Sequence, residues 1–104
     1  MDEKTTLDFI TSQLSSRREV RRILLFGSRA RGDARADSDY DLCIIVDAVE
    51  DERALYVELM REIASADWSI DLVIMTEEDF VRKLEEGWSL LQAMKRDGKE
   101  LYAA

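Results

Sequence analysis

The chain has 104 residues and a formal net charge of −8; the length fits one domain over residues 1–104, and the acidity repels phosphate backbones and argues against direct nucleic-acid binding. It contains no histidine, which excludes histidine-ligated zinc, Ser-His-Asp triads and imidazole acid–base chemistry, so any metal must be one that oxygen holds, such as Mg2+, Mn2+ or Ca2+. One cysteine allows no intrachain disulfide, and no 18-residue apolar span or signal-peptide pattern is present, so the expected setting is the cytoplasm with no membrane insertion.

Thr5 and Thr6 are expected to cap a first helix, with Asp8 in its first turn and Leu7, Ile10 and Leu14 at helical spacing. Residues 15–19 are a polar break, and a first strand starts near Arg22 and runs through Ile23, Leu24, Leu25 and Phe26 to Gly27. A short basic helix with Arg29 and Arg31 follows, then an acidic turn, then a second strand from Tyr40 to Val46 interrupted only by Asp41. Runs this apolar suit strands covered on both faces. Residues 50–53 read as a charged turn, and Leu55, Leu59, Ile63 and Ala66 give a third helix one apolar face, broken by residues 67–69. Residues 70–75 form a third strand, apolar except for Asp71. Thr76 is expected to cap the next helix, whose first turn holds Glu77, Glu78 and Asp79. Phe80, Leu84, Trp88 and Leu91 continue one stripe, so this helix runs through Gly87 or kinks there, with Gly98 as its stop. Leu101 and Tyr102 suggest a short edge strand.

The alternation predicts an α/β or α+β fold, a small mixed sheet flanked by helices. Its polar equipment constrains the topology. Gly27 and Ser28 end the first strand, Asp39 and Asp41 start the second, and Asp71 starts the third. If these converge, strand one is antiparallel to strand two, and strand three is parallel to strand two through a right-handed helical crossover. Asp39 and Asp41, two residues apart, project from one strand face. Apposed carboxylates repel unless water or a cation relieves them.

Gly27-Ser28, ten intervening residues and Asp39-Tyr40-Asp41 form a pattern that resembles the DNA polymerase β-like nucleotidyltransferase superfamily. In particular it resembles the minimal members, the MNT proteins paired with HEPN-type ribonuclease toxins. The runs Gly-Ser-Arg-Ala-Arg-Gly and Ser-Asp-Tyr-Asp-Leu are typical of that group, and the closing Arg-Asp-Gly-Lys-Glu-Leu-Tyr resembles its end. Asp71, in Ile-Asp-Leu-Val-Ile-Met, stands where the group has its third carboxylate. The resemblance covers nearly the full chain. It implies the polymerase β-like nucleotidyltransferase fold and transfer of AMP from ATP to a cognate toxin, silencing it.

Such transfer places negative charge on the attacking oxygen, the α-phosphate and the leaving pyrophosphate, and two Mg2+ ions can clamp both sides of the displacement. Asp39 and Asp41 can bridge two ions, and Asp71 can complete the site on the nucleophile side and receive the acceptor's proton. Gly27 lets backbone approach phosphate, and Ser28 with the following amides can hold the triphosphate at a helix start. Arg29 and Arg31 are candidates for the β- and γ-phosphates, with the choice of which points inward left open by the sequence.

Plainer roles are expected elsewhere. Ser38 reads as a turn residue, Arg35 as surface, Cys43 as a small core residue, and Trp68 as packing rather than base stacking. Trp88 reads as core or partner interface, and residues 50–52 as a solvated loop. Three functions compete. The first is an adenylyltransferase that modifies a partner toxin on a hydroxyl, most simply a tyrosine. The second is an antitoxin that inhibits by contact alone, and the third a small-molecule nucleotidyltransferase, whose relatives carry further C-terminal domains that shape the acceptor site.

Overall fold

The computed structural model describes residues 2–104. Helix α1 (Glu3–Ser15) is capped not by Thr5 or Thr6 but by Asp2, whose carboxylate accepts from the Thr5 amide at 2.8 Å. An aspartate there outcompetes a threonine because it satisfies an orphan amide and also places negative charge at the helix start. Thr6 is instead buried, its hydroxyl donating to the Asp2 carbonyl at 3.0 Å. Strand β1 (Val20–Phe26) starts two residues before Arg22, because Val20 is already buried.

Next come α2 (Gly27–Arg31), β2 (Tyr40–Val46) and α3 (Glu52–Ile63). The charged turn at 50–53 is partly helix start, since the Asp51 carboxylate caps the Ala54 amide at 3.0 Å. Helix α3 ends at Ile63, short of Ala66, where the Trp68 indole nitrogen donates to the Ile63 carbonyl at 2.9 Å and satisfies one of the terminal acceptors. Strand β3 (Ile70–Thr76) leads directly into α4 (Glu77–Glu85), capped as expected by Thr76, whose hydroxyl accepts from the Asp79 amide.

The long stripe from Phe80 to Leu91 is not one helix. Gly87 takes φ +77°, a left-handed conformation that ends the first helix, and α5 (Ser89–Asp97) restarts after Trp88. Trp88 therefore leaves the stripe and is half-exposed, while Leu91 and Met94 of α5 are buried. Gly98 stops α5, but with an extended backbone rather than a left-handed one. A Cβ there would lie 2.3 Å from the Met94 carbonyl oxygen, so close approach of backbone makes it glycine. Strand β4 (Lys99–Ala103) is the expected edge strand.

The sheet order is β3-β2-β1-β4. β1 is antiparallel to β2, and β2 is parallel to β3, as the converging polar residues require; β4 pairs antiparallel on the other side of β1. β2 and β1 are interior and apolar on both faces. One face (Ile23, Leu25, Leu42, Ile44, Val46, Leu72) packs on Ile10 and Leu14 of α1 and Leu55, Leu59 and Ile63 of α3. The other (Leu24, Phe26, Cys43, Ile45, Met75) packs on Leu91 and Met94 of α5, with Phe80 and Leu84 of α4 at its margin. Each fully buried aliphatic side chain here contributes roughly 1.5–3 kcal/mol. Cys43 is the core residue expected of it, and burial pushes its thiol up to about 12. No helix of the described residues is long and apolar enough to cross a membrane.

Candidate active site

Asp41 is the second residue of β2, and it sits between two neighbours at one end of the sheet. It pairs with Phe26, the last residue of β1, and with Asp71, the second residue of β3. The Tyr40 amide donates to the Ser69 carbonyl at 2.8 Å, tying the starts of β2 and β3 together. Asp41 and Asp71 project to the same side of the sheet as Cys43, Val73 and Met75, toward α5. Asp39 precedes β2 and belongs to the loop that enters it. Asp39 and Asp71 are exposed, whereas Asp41 is half-buried.

The electrostatics of Asp41 record this gathering. Its carboxyl is raised above the ordinary 3.8 by burial first, then by the charges of Asp71 and Asp39, with Arg31 pulling the other way. Among the described residues, no three carboxylates are drawn together closely enough to hold an ion as they stand. Like charges with no cation between them repel. The donor set nevertheless fits a hard divalent cation: three carboxylates from adjacent positions, no nitrogen or sulfur donor, and one carboxyl whose raised titration a cation would reverse.

Gly27 is required by the acid before any phosphate arrives. Its φ is +71°, and a Cβ built on it would lie 2.1 Å from the Asp41 Oδ2. Any other residue would displace the central carboxylate. Gly27 also opens α2, a single turn whose start carries no side-chain cap. The turn closes when the Gly32 and Asp33 amides both donate to the Ser28 carbonyl, at 3.0 and 3.1 Å.

Arg29 and Arg31 separate cleanly. Two residues apart on a helix means about 200° apart around its axis, so both cannot face one site. Arg31 stays beside the carboxylates, near enough to lower Asp41, while its Nε also reaches Asp33 at 3.3 Å. Arg29 goes to the opposite side of α2. Its guanidinium stacks on the Tyr40 ring, 4.0 Å from the centroid, and donates to the Ser38 carbonyl at 2.8 Å. Of the two candidates left open by the sequence, Arg31 is therefore the one on the carboxylate side, while Arg29 lies on the loop side of α2. Ser38 is the expected turn residue, its hydroxyl accepting from the Arg35 amide at 2.8 Å, and Arg35 is exposed. Trp68 packs, tilted against Phe9 with ring centroids 5.7 Å apart.

Sequence reasoning missed Tyr40. It passed for one more apolar strand residue, yet strand alternation turns it to the face opposite Asp39 and Asp41, where it becomes the platform for Arg29. The alternation was the signal that could have found it.

Residues 9–104 match the polymerase β nucleotidyltransferase family. The chain is a member of that family. This nucleotidyltransferase is 31% identical over 103 residues to a Methanocaldococcus jannaschii protein named putative protein adenylyltransferase MJ0604, covering 97% of this chain and 98% of that one. Its fold is shared with a solved toxin–antitoxin structure containing AMP-PNP, at a TM-score of 0.65 and 24% identity over 99% of this chain and 75% of the other. A structure of a tri-AMPylated Shewanella oneidensis HEPN toxin in complex with MNT antitoxin gives 0.64 and 24%, over 99% and 74%. At these identities the two structures establish the fold, a four-stranded mixed sheet flanked by helices, and nothing finer.

Proposed function

We propose that this nucleotidyltransferase is an antitoxin that moves AMP from ATP onto a hydroxyl, a tyrosine in the simplest case, of a cognate HEPN-type toxin. The observation that carries this reading is the register of Asp41 against Asp71, with Asp39 two residues upstream and the Gly27-Ser28 turn against Asp41. Asp39, Asp41 and Asp71 would hold Mg2+, two ions in the full site, which supply charge neutralisation at the reacting phosphate and the leaving pyrophosphate. Ser28 and the uncapped start of α2 would receive the triphosphate, and Arg31, on the carboxylate side, would offset its charge. The toxin hydroxyl oxygen forms the new bond to the α-phosphorus, the bond from that phosphorus to the pyrophosphate oxygen breaks, and the hydroxyl proton passes to Asp71. Asp71 is the exposed carboxylate on the outer strand β3, open to a partner's side chain.

The toxin-bearing structural relatives and the relative named for adenylyl transfer support partner and reaction. We place the reaction in the cytoplasm, where ATP is supplied, and take residues 1–104 as one domain, a single sheet with helices on both faces. The test is the intact mass and peptide map of the toxin after incubation with this protein, ATP and Mg2+. AMP adducts on a tyrosine, absent with Asp39→Asn, are the expected result. A toxin silenced equally by the Asp39→Asn protein and carrying no adduct makes contact inhibition the function. Adducts found only on small-molecule acceptors would move the substrate class.

A further inference from the structure

Arg29 lies on the side of α2 away from the carboxylates, yet its contacts converge on the segment that delivers one of them. Its side chain is only 9% exposed. One terminal nitrogen donates to the carbonyls of Ser38, at 2.8 Å, and Ala36, at 3.3 Å. The other reaches Glu3 of α1 at 3.4 Å. The guanidinium plane covers the Tyr40 ring. Arg29 thus grips the residue before Asp39 by its carbonyl and the residue after it by its ring. Its Nε is buried without an acceptor.

We infer that Arg29 is the positioning residue of Asp39: by fixing the chain on either side, it sets the direction of the Asp39 carboxylate and with it the affinity of the site for a divalent cation. Residues 32–39 have no helix or strand ladder to orient them, only the backbone turn bonds of Gly32 and Asp33 to Ser28 and of Ser38 to Arg35, so side-chain contacts supply the rest. The task needs a guanidinium. A planar fork can span two carbonyls while stacking on an aromatic ring, and a lysine ammonium cannot do both. The inference rests on the reading of Asp39 as a metal ligand, and groups that orient ligands in this way typically govern metal affinity or activity by 10–100-fold.

The experiment uses Mn2+ alone, without nucleotide, titrated into wild type, Arg29→Lys and Asp39→Asn and followed by electron paramagnetic resonance. Hydrogen exchange of residues 33–39 is measured on the same proteins. Arg29→Lys is expected to weaken Mn2+ about 10–100-fold and to speed exchange in 33–39 while the sheet stays protected. In turnover assays its kcat falls while the KM for ATP stays within about threefold of wild type. Wild-type Mn2+ affinity in Arg29→Lys overturns the inference and leaves the metal site standing. Wild-type affinity in Asp39→Asn overturns the metal reading itself. Should Arg29→Lys not fold, the wild-type protein decides by nuclear magnetic resonance. An Arg29 Nε–H protected from water exchange supports the clamp, and one exchanging as fast as those of exposed Arg35 and Arg53 overturns it.

Discussion

The two faces of the sheet are built to different standards. The face under α1 and α3 gathers fourteen buried residues into one cluster, and the face under α4 and α5 gathers seven among the described residues. Helix α3 buries Leu55, Leu59 and Ile63, whereas α4 buries none of its residues and reaches the core only through the partly covered Phe80 and Leu84. Asp41 and Asp71 point to the thinner side. One face supplies the cohesion, which frees the other to keep charged groups near solvent. A carboxylate cluster under a full hydrophobic layer would cost several kcal/mol per ion; left at the open end of the lighter face, it stays hydrated and open to solvent.

The largest effect should come from the lighter face. Asp41→Asn is expected to reduce transfer by about 10³-fold or more, roughly 4 kcal/mol of barrier, with the circular dichroism spectrum unchanged. Retained turnover would detach the chemistry from this face. Next, Leu59→Ala on the heavy face should cost about 2–5 kcal/mol in denaturant unfolding, against less than about 0.5 kcal/mol for Val81→Ala on exposed α4. Equal losses would erase the asymmetry. Ser28→Ala is expected to weaken ATP binding by about 1–3 kcal/mol, and Arg31→Ala by about 1 kcal/mol or less for so exposed a charge, both without change in melting temperature. Calorimetric titration would read them.

The smallest effect is a pH-dependent gain in stability. The Asp41 carboxyl is raised in the folded state, so the fold binds its proton more tightly than the unfolded chain does. In the metal-free protein, stability on this account is fully retained below the ordinary 3.8 and declines as pH rises through the raised folded value. Asp41→Asn removes the penalty. Its melting temperature should exceed that of wild type at neutral pH, with the gap closing as pH falls below 3.8. A gap that widens on acidification would mean that Asp41 is stabilising as a charge.

The heavy face was largely legible in the sequence, because Ile10, Leu14, Leu55, Leu59 and Ile63 repeat at helical spacing and that face does little besides pack. The directions of the first three strands followed from asking the polar residues to converge. What the sequence does not decide lies where geometry depends on a few backbone angles. The sequence leaves open whether the helix runs through Gly87 or kinks there, because Trp88 keeps the apolar spacing alive; the left-handed glycine decides for a break and turns Trp88 into solvent. The cap at Asp2 was hidden because two threonines stood closer to the apolar run. At the site, residue types gave the candidate carboxylates and glycine, but not that Gly27 makes room for Asp41, nor which of Arg29 and Arg31 lies on the carboxylate side. Those depend on distances between segments that composition and spacing do not encode.

The pairing of Asp41 with Asp71 has a consequence for assembly errors. In β3, Ile70, Leu72 and Ile74 face the heavy cluster while Asp71, Val73 and Met75 face the lighter one. If β3 docked on β2 one residue out of step, the alternation would send Asp71 into the apolar layer beneath α1 and α3 and turn Leu72 out among the carboxylates. The mistake penalises itself twice, by burying a charge and by exposing a leucine. The alignment of the two carboxylates is therefore proofread by the aliphatic side chains on either side of Asp71.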